Sequence, residues 1–138
     1  MTTFVGARDA LVTHFDTAIK LAYPGLPVFY ENAVKADLDS VGDNFLQIGV
    51  DFTSADQFDF DLAAQDHMTV GLFTVRVFAK DGTGTRTALG MMEFITGLMK
   101  LKDLSGVHTG IPKPGRKISD KGWSATDLLV PFEFHSKY

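Results

Sequence analysis

Groups able to do chemistry are scattered along this chain rather than gathered. The histidines are His14, His67, His108 and His135. None stands three or four residues from another, so no helical metal-binding pair exists. His14 borders an apolar stripe and reads as a partly buried structural residue. The run Asp56-Gln57-Phe58-Asp59-Phe60-Asp61 offers the hard oxygens that calcium prefers. It lacks the glycine and the later glutamate of an EF-hand loop, so a solvated acidic segment is the simpler reading. Gly82-Thr83-Gly84 precedes a helix, as phosphate-binding loops do, without the glycine fingerprint or the P-loop lysine. The serines lie outside any nucleophile-elbow pattern. The chain has no cysteine, which excludes disulfides, thiolate metal sites, iron–sulfur ligation and cysteine nucleophiles. The expectation is no catalytic residue, no metal and no cofactor.

Two features are unlike a bland monomer. Segment 53–67 carries Asp56, Asp59, Asp61 and Asp66 and no lysine or arginine, with Phe58, Phe60 and Leu62 alternating among the acids. Segment 113–121 is the opposite, with Lys113, Arg116, Lys117 and Lys121 against Asp120. Complementary patches of this kind steer association. The second feature is Gly90 and Gly97 on one face of a helix, where each costs about 1 kcal/mol relative to alanine. Close approach of another backbone, from the chain's own sheet or from a neighbouring subunit, would offset that cost.

The elements that must position these groups are legible from periodicity. Phe4, Ala7, Leu11, Phe15, Ala18, Ile19 and Ala22 recur every three or four residues and predict a first helix. Thr2 or Thr3 is placed to cap it, and Tyr23-Pro24-Gly25 ends it. Pro27 to Asn32 is a short extended run, and residues 33–43 read as a loop. Phe45 to Phe52 is a strand by alternation, as is Met68 to Lys80, with Phe73, Val75, Val77 and Ala79 on its cleaner apolar face. The pair is expected to be antiparallel. Between them, segment 53–67 has strand patterning where a connection belongs, and reads as a hairpin arm or a loop. A turn at 81–84 leads into a second helix carrying Ala88, Met91, Met92, Ile95, Leu98 and Met99. A short strand is predicted over 104–111, ended by Pro112-Lys113-Pro114-Gly115. The last strand runs from Trp123 to His135, with Leu128, Val130, Phe132 and Phe134 on one face. Pro131 has no amide hydrogen and marks an edge or bulge. The order α-β-β-β-α-β-β predicts a single α+β domain over 1–138, two helices packed on a mostly antiparallel, mixed sheet.

Composition agrees with that. The chain has 138 residues, of which 45% are hydrophobic and 22% charged. Such a length buries enough surface to fold without staples. The formal charge of −4 argues against a globally basic nucleic-acid-binding surface. The start lacks the pattern of a signal peptide, and no run approaches the ~18 apolar residues of a membrane span. A soluble intracellular domain is expected.

Several stretches together are similar to one family. Pro27-Val28-Phe29-Tyr30-Glu31-Asn32 resembles a strand of tailed-phage tail terminator proteins. Phe73 to Ala79, then Gly82-Thr83-Gly84 and the helix from Ala88 to Met99, resembles their central strand–turn–helix signature. Gly122-Trp123 with Leu129-Val130-Pro131-Phe132 resembles their closing strand. The family implied is the lambda-type tail terminator with its prophage relatives, and the departure is the acidic 53–67 segment, a region that varies in such proteins. The resemblance implies a structural virion protein of the head-proximal end of the tail, assembled in the bacterial host cytoplasm. It implies a ring, of hexameric type, that ends tube polymerisation and offers the head-joining surface. The implied partners are other copies of the chain, the tail-tube protein and a head-completion or neck protein, with genomic DNA passing through without specific binding and no membrane. In a ring, Asp56, Phe58, Asp59, Phe60, Asp61 and Leu62 would meet Lys113, Arg116, Lys117 and Lys121 of the neighbour. Alternatively the acids would line the lumen and repel DNA. Rival readings are a neighbouring neck or joining protein, a small nucleic-acid-binding module using the 113–121 cations, and an enzyme built on Asp59, Asp61 and His67.

Overall fold

In a computed structural model of the chain, the described residues are 3–30, 44–57, 66–80, 86–120 and 122–137. Helix α1 spans Phe4–Ala22 and begins where the Thr3 hydroxyl accepts the Gly6 amide at 3.0 Å. It stops at Tyr23, whose amide still bonds Ile19, and Gly25 turns the chain away at φ +83°. Three strands follow: β1 Val28–Tyr30, β2 Asn44–Gln57 and β3 Asp66–Lys80. Helix α2 covers Arg86–Met99, and β4 Asp103–Leu104, β5 Val107–Thr109, β6 Lys113–Asp120 and β7 Trp123–Lys137 complete the chain.

All seven strands form one sheet in the order β1-β2-β3-β7-β5-β4, with β6 also paired to β7. Among the described strands only β1 and β2 run parallel; the other pairs are antiparallel. This is the expected α+β plan and element order, with two refinements. The 104–111 segment is a tight hairpin rather than one strand: Leu104 faces Val107 across Ser105 and Gly106, both at positive φ. Such two-residue loops match the twist of their strands. The basic 113–120 segment is itself a strand rather than a loop.

Cross-strand partners share a face, which sorts the side chains. Leu46, Val77 and Thr126 are aligned on one face, as are Ile48, Val75 and Leu128, and Phe73 and Val130. Both helices cover this face. Ala7, Leu11, Phe15 and Ile19 of α1 and Ala88, Met91, Ile95 and Met99 of α2 are buried against it. Phe15 meets Phe73 edge to face at 5.5 Å.

The opposite face has its own small core. Phe45 stacks on Phe78 at 4.3 Å and receives Trp123 and Phe29 edge-on at 4.9 and 5.6 Å. Beside it Arg76 and Asp127, cross-strand partners, form a two-pronged ion pair at 2.6 and 3.2 Å. Gly71 lies where β3 is most crowded: a Cβ there would strike the Asp51 carbonyl and come within 2.6 Å of the Phe132 ring.

Pro131 is neither on an edge strand nor at a bulge. It faces Leu72 in the middle of β7, at the point where β7 changes partner from β6 to β5. Its carbonyl accepts the Gly110 amide at 2.8 Å. In an antiparallel strand a residue's N–H and C=O point the same way. The missing donor therefore faces the gap between β5 and β6, and the β3 ladder loses nothing.

Candidate assembly surface

The last turn of α2 is held by α1 and the sheet instead of by a helix-capping glycine. Helix ends leave carbonyls without partners. Here His14 Nε2 of α1 lies 3.1 Å from the Leu98 carbonyl and donates to it, and the Thr109 hydroxyl donates to the Met99 carbonyl at 2.5 Å. The same hydroxyl accepts the Lys102 amide at 2.7 Å. Leu101 then takes a left-handed conformation, φ 52°, with its amide bonded to the Gly110 carbonyl at 3.1 Å. His14 is thus a structural residue joining the two helices, as its position in the sequence suggests. Leu101 escaped sequence reasoning, because positive φ is not written in a leucine.

The charged segments fall at opposite ends of β7. Strand pairing of β2 with β3 continues past the Phe52/Ser54 register shift to Gln57 and His67, so the described part of segment 53–67 is a hairpin arm. Asp56 is in this ladder, opposite Met68. Phe58, Asp59, Phe60, Asp61 and Leu62 lie outside the described residues, as does Lys121. So do the Gly82-Thr83-Gly84 turn and the side chain of His67. On the other segment, Lys113, Arg116 and Lys117 are exposed on β6. None of the three has an ion-pair partner among the described residues. Lys117 faces Thr126 and Asp66 faces Lys137 along the same strand, a span of roughly 35 Å at ~3.3 Å per residue. Within one chain the described parts of the two segments do not meet.

Gly90 and Gly97 are exposed, and a Cβ at either would meet nothing within 4 Å. The described part of the chain's own sheet therefore does not explain them, and among the described residues nothing packs within 4 Å of a Cβ built at either; Leu89 on the same helix is 54% exposed. Ile111, at 53%, and Leu101, at 65%, are further exposed aliphatics.

Other polar contacts among the described residues tie elements together. The Tyr30 hydroxyl donates to Asp16 at 2.5 Å, and Arg8 lies over the Tyr30 ring, so edge strand β1 is tied to α1. That hydrogen bond to a carboxylate, with burial, pushes the Tyr30 pKa up to about 12. His108 is 4.0 Å from Asp103 in the β4–β5 hairpin, both largely exposed. Among the described residues no three His, Cys, Asp or Glu side chains converge on a metal site. An open, mainly apolar cleft of about 530 Å³ lies over Leu72, Gly110 and Pro131, and a second of about 450 Å³ is lined by Tyr23, Leu26 and Met91. No described helix is long and apolar enough to cross a membrane.

Comparisons with known proteins bear on what these surfaces are for. One solved structure superposes with a TM-score of 0.67 at 17% identity, covering 95% of this chain and 96% of the other, a likeness of fold. No curated protein matches the chain. A family model described as phage tail terminator protein matches residues 7–106, from the first buried residue of α1 through the β4–β5 turn. The chain belongs to the phage tail terminator family, and its role is that of a structural component of the phage tail.

Proposed function

We propose that the protein caps the head-proximal end of the tail tube as a ring, of hexameric type, ending tube growth and presenting the surface that a neck or head-completion protein joins. The observation that carries this reading is the family match over residues 7–106. Physical support comes from the asymmetry of the surface. A closed ring needs two different patches per subunit that meet head to tail. The sheet ends in two unlike edges, the three-residue β1 on one side and β4 with the basic β6 on the other. The partners are other copies of the chain, the tube protein and a neck protein, and DNA passes without being read.

The test is mass in solution, by light scattering across concentration, with and without purified tail tubes. A ring, or a monomer that becomes a ring on tube ends and arrests their growth, supports the reading. A monomer that leaves tube growth unaffected refutes it.

A further inference from the structure

Four phenylalanines meet where α1 begins. Phe4 of α1 packs edge-on against Phe52 of β2 at 4.8 Å and against Phe134 of β7 at 6.0 Å, and Phe52 meets Phe132 of β7 at 5.8 Å. Phe52, Gly71 and Phe132 form one cross-strand row, and Gly71 has no Cβ to hold the two rings apart. Phe132 and Phe134 are buried, whereas Phe4 and Phe52 are 40% and 38% exposed. Two rings in mutual contact are thus left open, one of them on a strand whose outer edge is paired, among the described residues, only over Leu46–Ile48. Contiguous exposed apolar groups of this kind mark association sites. The charge beside them is negative. Asp51, next to Phe52, is exposed and has no ion-pair partner among the described residues, while Arg8 and Asp9 pair with one another.

A head-to-tail ring needs an unlike patch elsewhere on the same subunit. Of the large apolar side chains exposed in the described residues, only Leu101 stands between two cations. Lys100 and Lys102 are both exposed, and neither has an ion-pair partner among the described residues. Leu101 is 65% exposed at φ 52°, so the strain of a left-handed leucine is not offset by burial among the described residues. Its amide bonds the Gly110 carbonyl beyond β5, which places it at the far edge of the sheet from β2. Phe52 is four strand positions away, roughly 19 Å at ~4.8 Å per strand, so a copy cannot fill its own patch with its own Leu101. Ammonium groups are attracted to aromatic rings and to carboxylates. We infer that the Phe4–Phe52 patch of one copy receives Leu101 of the next, with Lys100 and Lys102 against the rings and Asp51. This deepens the ring reading and rests on it, because it names one contact of the head-to-tail interface.

Leu101→Gly separates fold from contact. Glycine relieves the backbone strain, so thermal unfolding of the monomer stays equal or moves up, while self-association weakens at least about tenfold. Asp51→Lys weakens association, as does Lys100→Glu with Lys102→Glu, and all three changes in one chain restore most of the loss. Association at the wild-type level by Leu101→Gly or by the separate charge variants, or a combined variant no better than either half, overturns the inference. A second measurement identifies the occupant. Photo-leucine, a diazirine analogue, replaces Leu101 in heavy-isotope-labelled copies, which are mixed with light copies and tail tubes and irradiated. Links from position 101 of one copy to Phe4 or Phe52 of another are expected. Links to other parts of a second copy, to the tube protein or within one copy, or no links, overturn it. Rings that cap tubes while position 101 links elsewhere remove this contact and leave the ring reading standing. Wild-type protein that fails to cap tubes removes the ring reading itself.

Discussion

Replacing Thr109 with valine tests how α2 is anchored. Valine keeps the shape of threonine and removes the hydroxyl. That hydroxyl donates to the Met99 carbonyl at 2.5 Å and accepts the Lys102 amide at 2.7 Å, at a site only 5% exposed. Each lost neutral hydrogen bond costs about 1 kcal/mol, and more where the abandoned partner stays dry. Met99 is fully buried and Lys102 is exposed, so the Met99 carbonyl is the partner that stays dry. The sum is about 2–3 kcal/mol, from which the methyl gained subtracts a few tenths. For a domain of this size that lowers the unfolding midpoint by roughly 6–15 °C. Thr109→Ser keeps both bonds and loses one methyl, about 1 kcal/mol. Urea titrations followed by circular dichroism measure both. A valine variant within 1 kcal/mol of wild type, or a serine variant as damaged as valine, refutes the idea that the hydroxyl anchors the helix end.

Three further outcomes are expected. Tyr30 donates to Asp16 only as the neutral phenol, and its folded pKa is raised to about 12; the stability it adds is whole below pH 10 and is lost as pH rises toward 12. The stability gap between wild type and Tyr30→Phe should therefore shrink across that window; a gap that is constant or widens refutes the assignment. Gly71→Ala should destabilise by at least about 1–3 kcal/mol, because its Cβ would meet a carbonyl and the Phe132 ring; denaturation at wild-type midpoint would show that β3 has room. Arg116→Glu with Lys117→Glu should leave folding intact, both side chains being exposed, and weaken ring assembly most at low salt; rings of unchanged stability at low salt remove the charge argument.

The sequence exposed most of this architecture where periodicity is strong. The stripes of α1 and α2 predicted both helices, and alternation in 45–52 and 68–80 predicted the central hairpin and its inward face. It hid β6, because Pro114, Gly115 and the surrounding cations have the composition of a loop. They form a strand because β7 is long enough to leave an open edge beside them. It also hid the second core. Phe45 and Phe78 occupy the register that alternation reserves for polar residues, and only cross-strand pairing stacks them. The 104–111 hairpin had a signal, since Ser-Gly is a turn dipeptide. The candidate surface was half legible: its charge blocks are in the composition, whereas Leu101 matters through a backbone angle that the sequence does not encode locally.

Strand β7 has a consequence for the order of events during synthesis. It is the central partner of the sheet, pairing β3 along its whole length and holding β5 and β6 on its other side. It is also made after every strand it joins. Until it leaves the ribosome, β3 has one long unpaired edge, and β5 and β6 have no sheet to join. Contacts this distant along the chain close slowly. The protein therefore completes its fold only once residues 123–137 are free, and an assembly surface that depends on β5 and β6 cannot exist before then.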